Sequence, residues 1–141
     1  MAYAQENRIP LLKNEHRQIR RRIESFRNAI AGHPLPSSGE LRVSIGRLGS
    51  LVESHLYEEE TGVYRQLRRR LGRDNPIDQM AREHKLIRRT FDSLLSLSSE
   101  YEADPSRIVD VRSCLDSLQR EVGAHFEKEE TVLFWLADLK L

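Results

Sequence analysis

Imidazole and carboxylate side chains recur in this chain at positions where a buried helix face calls for leucine. His16 precedes a His55-x-x-x-Glu59 element, and His84 precedes a His125-x-x-x-Glu129 element. The flanking text repeats as well. Glu15-His16-Arg17-Gln18-Ile19-Arg20-Arg21 aligns with Glu83-His84-Lys85-Leu86-Ile87-Arg88-Arg89, and the segment His55–Thr61 aligns with His125–Thr131. The offsets are 68 and 70 residues. The i, i+4 spacing stacks each His/Glu pair on one helix face, one turn apart. A histidine can then hold one cation while its glutamate reaches a second or bridges both. A carboxylate inside a helical bundle costs several kcal/mol unless a counter-charge answers it. One histidine on an apolar face is ordinarily a satisfied core residue, but a duplicated set with matched glutamates is not. The repeat therefore predicts a metal site at a pseudo-two-fold axis.

Donors of nitrogen and oxygen without thiolate favour iron, with manganese or zinc as alternatives. The six candidates divide evenly. His16 and His55 serve one ion, His84 and His125 the other, and Glu59 and Glu129 bridge, with a solvent-derived oxo or hydroxo group between the metals. Each ion then keeps an open position for a small molecule. Glu58, Glu60, Glu127 and Glu130 flank the set but leave the inward periodicity, so they are expected in solvent or at most supporting the ligands. Tyr57 and Tyr64 are expected to support the ligands or to pack as ordinary aromatics.

Four helices must position these groups: roughly 9–31, 38–70, 76–100 and 105–138. Turn signals separate them at Gly32–Gly39, at Leu71–Pro76 and around Asp104-Pro105. Ser37 and Glu40 have capping-box spacing, and Pro76 and Pro105 each follow a capping-type residue. Apolar residues then recur every three or four positions. The stripes are Leu12, His16, Ile19, Ile23, Phe26, Ile30; Leu41, Ile45, Leu48, Val52, His55, Glu59, Val63; Ile77, Met80, His84, Ile87, Phe91, Leu94; and Ile108, Val111, Leu115, Leu118, Val122, His125, Glu129, Val132, Leu136. The predicted fold is all-α, an up-down-up-down four-helix bundle. At 1.5 Å rise per residue, His16 lies roughly 22 Å from the end of its helix and His55 roughly 25 Å from the start of the next. The ligands can share one layer.

The chain of 141 residues suits a single domain spanning 1–141, with 38% hydrophobic and 32% charged residues. A net charge of +1 implies neither nucleic acid nor an acidic membrane as partner. The arginines at 65, 68, 69, 70 and 73 suit a helix C-terminus rather than a nucleic-acid patch. Arg20–Arg22 and Arg88–Arg89 are expected on solvated faces. One cysteine, Cys114, excludes an intrachain disulfide framework and is expected as a small buried residue. No apolar stretch reaches membrane-spanning length and the N-terminus lacks a signal-peptide core, so the expected location is cytoplasmic. His33 is expected in solvent, and Phe134 and Trp135 are expected to cap the core.

The motifs Asn14-Glu15-His16, His55-x-x-x-Glu59, Glu83-His84 and His125-Phe126-x-x-Glu129-Glu130 resemble the hemerythrin-like (HHE cation-binding) family over nearly the whole chain. The resemblance implies a four-helix bundle around a non-haem di-iron centre that meets dioxygen, nitric oxide or peroxide. The sequence departs from the oxygen-carrying members, which pair a further histidine at i, i+4 on the third helix. Here the neighbours of His84 are Met80 and Arg88. The loss of that ligand turns the expectation from oxygen carriage to sensing or redox chemistry, for example peroxide disproportionation by a di-iron oxidoreductase. The redox partner is not legible. The chain also resembles the di-iron part of the iron–sulfur repair proteins, without their cysteine-bearing segment. Iron storage or donation, and a metal that only braces an interaction module, are the competing readings.

Overall fold

The computed structural model describes residues 2–73 and 75–141, with side chains from Arg8 onward. Six α-helices make four arms: α1 (Ala2–Ala31); α2 (Ser38–Thr61) continued by α3 (Val63–Leu71); α4 (Ile77–Ala103); and α5 (Ile108–Lys128) continued by α6 (Phe134–Lys140). A 3₁₀ turn at Pro105–Arg107 precedes α5, and a π turn at Glu129–Leu133 joins α5 to α6. There is no strand among the described residues. The α1 arm packs on α2 and α5, and α4 packs on the same two, giving a four-helix bundle.

Local chemistry sets the boundaries. Ser37 caps α2 by accepting from the Glu40 backbone N–H at 3.1 Å, while the Glu40 carboxylate accepts from the Ser37 N–H at 3.1 Å. The Asn75 side chain accepts from the Ile77 N–H at 2.9 Å at the head of α4. Asp104 does the same for Ser106 at 3.1 Å, with Pro105 at the first position of the turn.

Inward stripes predicted from periodicity are buried throughout α1, α2 and most of α4 and α5. Phe91 is only half-buried, and Cys114 is half-buried against the core rather than inside it. The apolar interior falls into two clusters. One is built from residues such as Ile23, Leu48, Leu94 and Leu118, the other from residues such as Leu12, Val63, Met80 and Leu133. Between them lies a layer of buried polar side chains, because on each arm a histidine or glutamate interrupts the stripe: His16 falls between Leu12 and Ile19, and His84 between Met80 and Ile87.

Two expectations fail just past this layer. The predicted helix over 38–70 is interrupted at Gly62, whose backbone is non-helical (φ −106°, ψ −99°). Hydrogen bonds from the Gly62 N–H to Glu58 and from the Gln66 N–H to Gly62 carry the ladder across the break. In the last arm the α-periodic stripe was expected to run through Val132 and Leu136. Instead Leu133, Phe134 and Ala137 are buried, Leu136 is half-buried, and Val132 is 41% exposed. The π turn admits one extra residue, so every inward position after Glu129 moves on by one. Trp135 consequently points to solvent, 59% exposed, and only Phe134 closes the core.

Candidate metal centre

His16 is presented by α1, His55 and Glu59 by α2, His84 by α4, His125 by the end of α5, and Glu129 by the first residue of the π turn. All six are buried. His16, His55, Glu59 and Glu129 each place one ligand atom within 4.8 Å of the others, and Glu59, His84, His125 and Glu129 do the same. The two groups share both carboxylates.

Each imidazole is oriented from outside by a carboxylate on another arm. The Nδ1–H of His16 donates to Glu130 at 2.8 Å, that of His55 to Glu15 at 2.7 Å, that of His84 to Glu60 at 2.7 Å and that of His125 to Glu83 at 2.8 Å. A carboxylate only accepts, so Nδ1 carries the proton in all four rings, and a neutral ring turns the Nε2 lone pair inward. Such outer hydrogen bonds fix tautomer and ring direction and raise ligand basicity. Glu60 and Glu83 are themselves anchored: Arg88 donates to Glu60 at 2.8 Å, and Lys128 to Glu83 at 2.6 Å.

The interior holds more acceptors than protons. His16 Nε2 faces Glu129 at 3.1 Å, His55 Nε2 faces Glu59 at 3.1 Å, and the Nε2 atoms of His84 and His125 face one another at 2.9 Å. His55 Nε2, Glu59 Oε1 and Glu129 Oε1 are buried without any hydrogen-bond partner. Orphaned buried acceptors of this kind are rare because desolvation is left uncompensated. Nitrogen and carboxylate oxygens converging without thiolate fit a transition-metal cation, and the residues therefore fit the group that would satisfy them.

Electrostatics agree. Burial pushes the Glu59 carboxyl well above the usual range, and the facing Glu129 charge adds to it. Burial also acts on Glu129, but the His125 charge, with the His125 and His16 rings close by, outweighs it and holds Glu129 well below. Burial, helped by His125, lowers His84 to about 4, which keeps it a neutral donor near pH 7. Burial likewise lowers His55.

The model of the hemerythrin HHE cation-binding domain matches residues 7–137. The chain belongs to the hemerythrin HHE cation-binding domain family. Among curated proteins and among solved structures, no match to the chain is found. It is thus a hemerythrin-like cation-binding domain with a buried His/Glu cluster able to bind metal.

In this hemerythrin-like domain all six residues singled out by the repeat converge. Two supporting acids were missed, since Glu15 and Glu83 had no assigned role. Glu60 and Glu130 take the supporting place that was one of the two expected for them, Glu130 while still exposed. The usable signal was adjacency. An acid one residue from an inward ligand is rotated about a hundred degrees around the helix, toward the neighbouring arm. Glu127 is exposed as expected, and Glu58 pairs with Arg8. Arg88 is not a solvated surface residue but an ion-pair partner of Glu53 and Glu60. Tyr57 is exposed and touches nothing in the centre, whereas Tyr64 is fully buried with its hydroxyl inside it. His33 is exposed. The basic end of α3 fits its helix terminus, and Arg68 pairs with Asp78 at 3.3 Å. No helix of the described residues is long and apolar enough to cross a membrane.

Proposed function

We propose that this hemerythrin-like domain holds two iron ions and binds or senses a small oxidant such as dioxygen, nitric oxide or peroxide. The carrying observation is the pair of overlapping ligand groups that share Glu59 and Glu129, with three buried acceptor atoms unpartnered. In this reading His16 and His55 hold one ion, His84 and His125 the other, and the shared carboxylates bridge. The hydrogen-bond pairs respect the sequence repeat, which supports a pseudo-two-fold centre: His16–Glu130 corresponds to His84–Glu60, and His55–Glu15 to His125–Glu83. A bound iron pair supplies Lewis acidity and accessible redox states.

The chain's own residues do the rest. Four outer carboxylates hold each Nδ1 proton and aim Nε2 inward. Two apolar clusters flank the centre on either side. Residues 1–141 act as one domain in this reading, and the half-buried free Cys114 suits a reducing, cytoplasmic setting. Metal analysis with absorption spectra recorded anaerobically and in air tests the proposal. Two irons per chain and an oxygen-dependent spectrum are expected. A spectroscopically silent zinc site, or ready transfer of iron to an apo-acceptor without an oxygen response, would overturn oxidant binding.

A further inference from the structure

The two ligand groups are chemically unequal, and one difference among their inward atoms is a hydroxyl. Nine residues after each His-x-x-x-Glu histidine stands an aromatic ring: Tyr64 follows His55, and Phe134 follows His125. Both rings are buried. Each lies against a histidine contributed by a neighbouring arm, Tyr64 on His84 at 5.0 Å and 27°, Phe134 on His16 at 5.6 Å and 21°. The Tyr64 hydroxyl donates to Glu129 Oε2 at 2.5 Å and lies 2.9 Å from His84 Nε2 and 3.3 Å from His125 Nε2. It therefore stands among the ligand atoms of one group. The other group meets hydrocarbon rings instead, Phe134 and, more closely, Phe126 stacked on His16 at 3.7 Å.

Packing alone does not call for that hydroxyl, since the matching site is filled by phenylalanine. A buried phenol costs free energy unless its oxygen is used. The outer carboxylates of the Tyr64-bearing half are also the ones pinned by Arg88 and Lys128. The residue matching Arg88 in the repeat, Arg20, instead lies over the Phe126 ring at 5.9 Å. One half is thus braced and oxygen-rich, the other apolar.

We propose that Tyr64 is a further oxygen donor, beyond the six residues of the repeat, to the cation held by His84 and His125, where it fills one open position. The inference rests on the two-metal reading above and adds one protein ligand to it. Phenolate is an established donor to ferric iron. Its proton leaves to solvent as the cation takes its place.

The test uses the full chain loaded with ferric iron, with azide as the exogenous probe. Iron is counted first, and a count other than two sinks the two-metal reading and this inference with it. With two irons bound, the native protein should show a tyrosinate-to-iron charge-transfer band, tyrosine ring modes in resonance Raman and one azide per chain. Tyr64→Phe should abolish the band and ring modes and admit a second azide. Phe134→Tyr should add a second tyrosinate signature and lose azide binding. Two bound irons with no tyrosinate modes in the native protein would overturn the assignment. So would an azide stoichiometry identical in the native protein and Tyr64→Phe, and that comparison stands even where Phe134→Tyr fails to fold.

Discussion

Without a cation, protons must do part of the cation's work in this centre. Glu59 is raised by burial and by the Glu129 charge, so it keeps a proton above the ordinary carboxyl range. Burial alone would lower His125, but the nearby Glu129 charge and the hydrogen bond to Glu83 win, and its pKa is raised. A metal ion displaces such protons. The sign follows directly: the metal-free state is the protonated one, so affinity falls as pH is lowered below the raised Glu59 pKa. Metal uptake below the raised Glu59 pKa is expected to release protons, measurable by calorimetry in buffers of different ionisation enthalpy, and Glu59→Gln should release fewer. The outer carboxylates make a second prediction at this scale. Glu60→Gln and Glu130→Gln should each weaken metal binding by roughly 10–100-fold, because the Nδ1 partner loses its charge. His55→Ala and His125→Ala should lower metal content outright, and the exposed Glu127→Ala should leave it intact. Equal occupancy across this series in a competition titration would show that ring orientation is irrelevant.

Helix ends and irregularities determine where those residues point. In both composite arms the regular α-helix lapses close after the inward glutamate, at Gly62 after Glu59 and in the π turn that begins at Glu129. The lapse brings consecutive residues inward on each side, Val63 with Tyr64 and Leu133 with Phe134. A regular helix buries such neighbours less readily, since they lie about a hundred degrees apart. The aromatic pair that differentiates the two ligand groups is thereby seated. At the far end of the bundle the capping box at Ser37 closes α2 independently of the centre. Ser37→Ala should cost about 1 kcal/mol in urea unfolding, with iron stoichiometry unchanged. A loss of iron in that variant would mean that the two ends of α2 are coupled.

The whole molecule is a polar layer held between two apolar clusters, and its stability divides accordingly. Leu118 is fully buried in the cluster remote from the second group of apolar residues. Leu118→Ala should cost about 2–5 kcal/mol yet leave two metal sites. Metal removal should act through the polar layer instead. A ligand at a thousand times its dissociation constant stabilises the folded state by about 4 kcal/mol, so a chelator should lower the melting temperature of the loaded protein markedly. An unchanged melting temperature after verified metal removal would show that the six inward groups do not depend on a cation.

Much of this was written in the chain's periodicity. The all-helical class, the four arms, and the inward placement of His16, His55, Glu59, His84, His125 and Glu129 all follow from spacings of three and four residues, a local property of the helix. Membership of the family lay in the same motifs. What periodicity could not contain is everything that depends on how one arm is rotated and offset against another. Glu15 reaching His55, Glu130 reaching His16 and Arg88 bracing Glu60 are contacts between arms. The π turn broke the local rule itself, moving burial from Val132 to Leu133 and Phe134. Tyr64 reads in sequence either as a support for the ligands or as one more packed aromatic. Only the packed bundle sets its hydroxyl 2.5 Å from Glu129 and opposite nothing equivalent at Phe134, because distance between arms is fixed by packing and not by order along the chain.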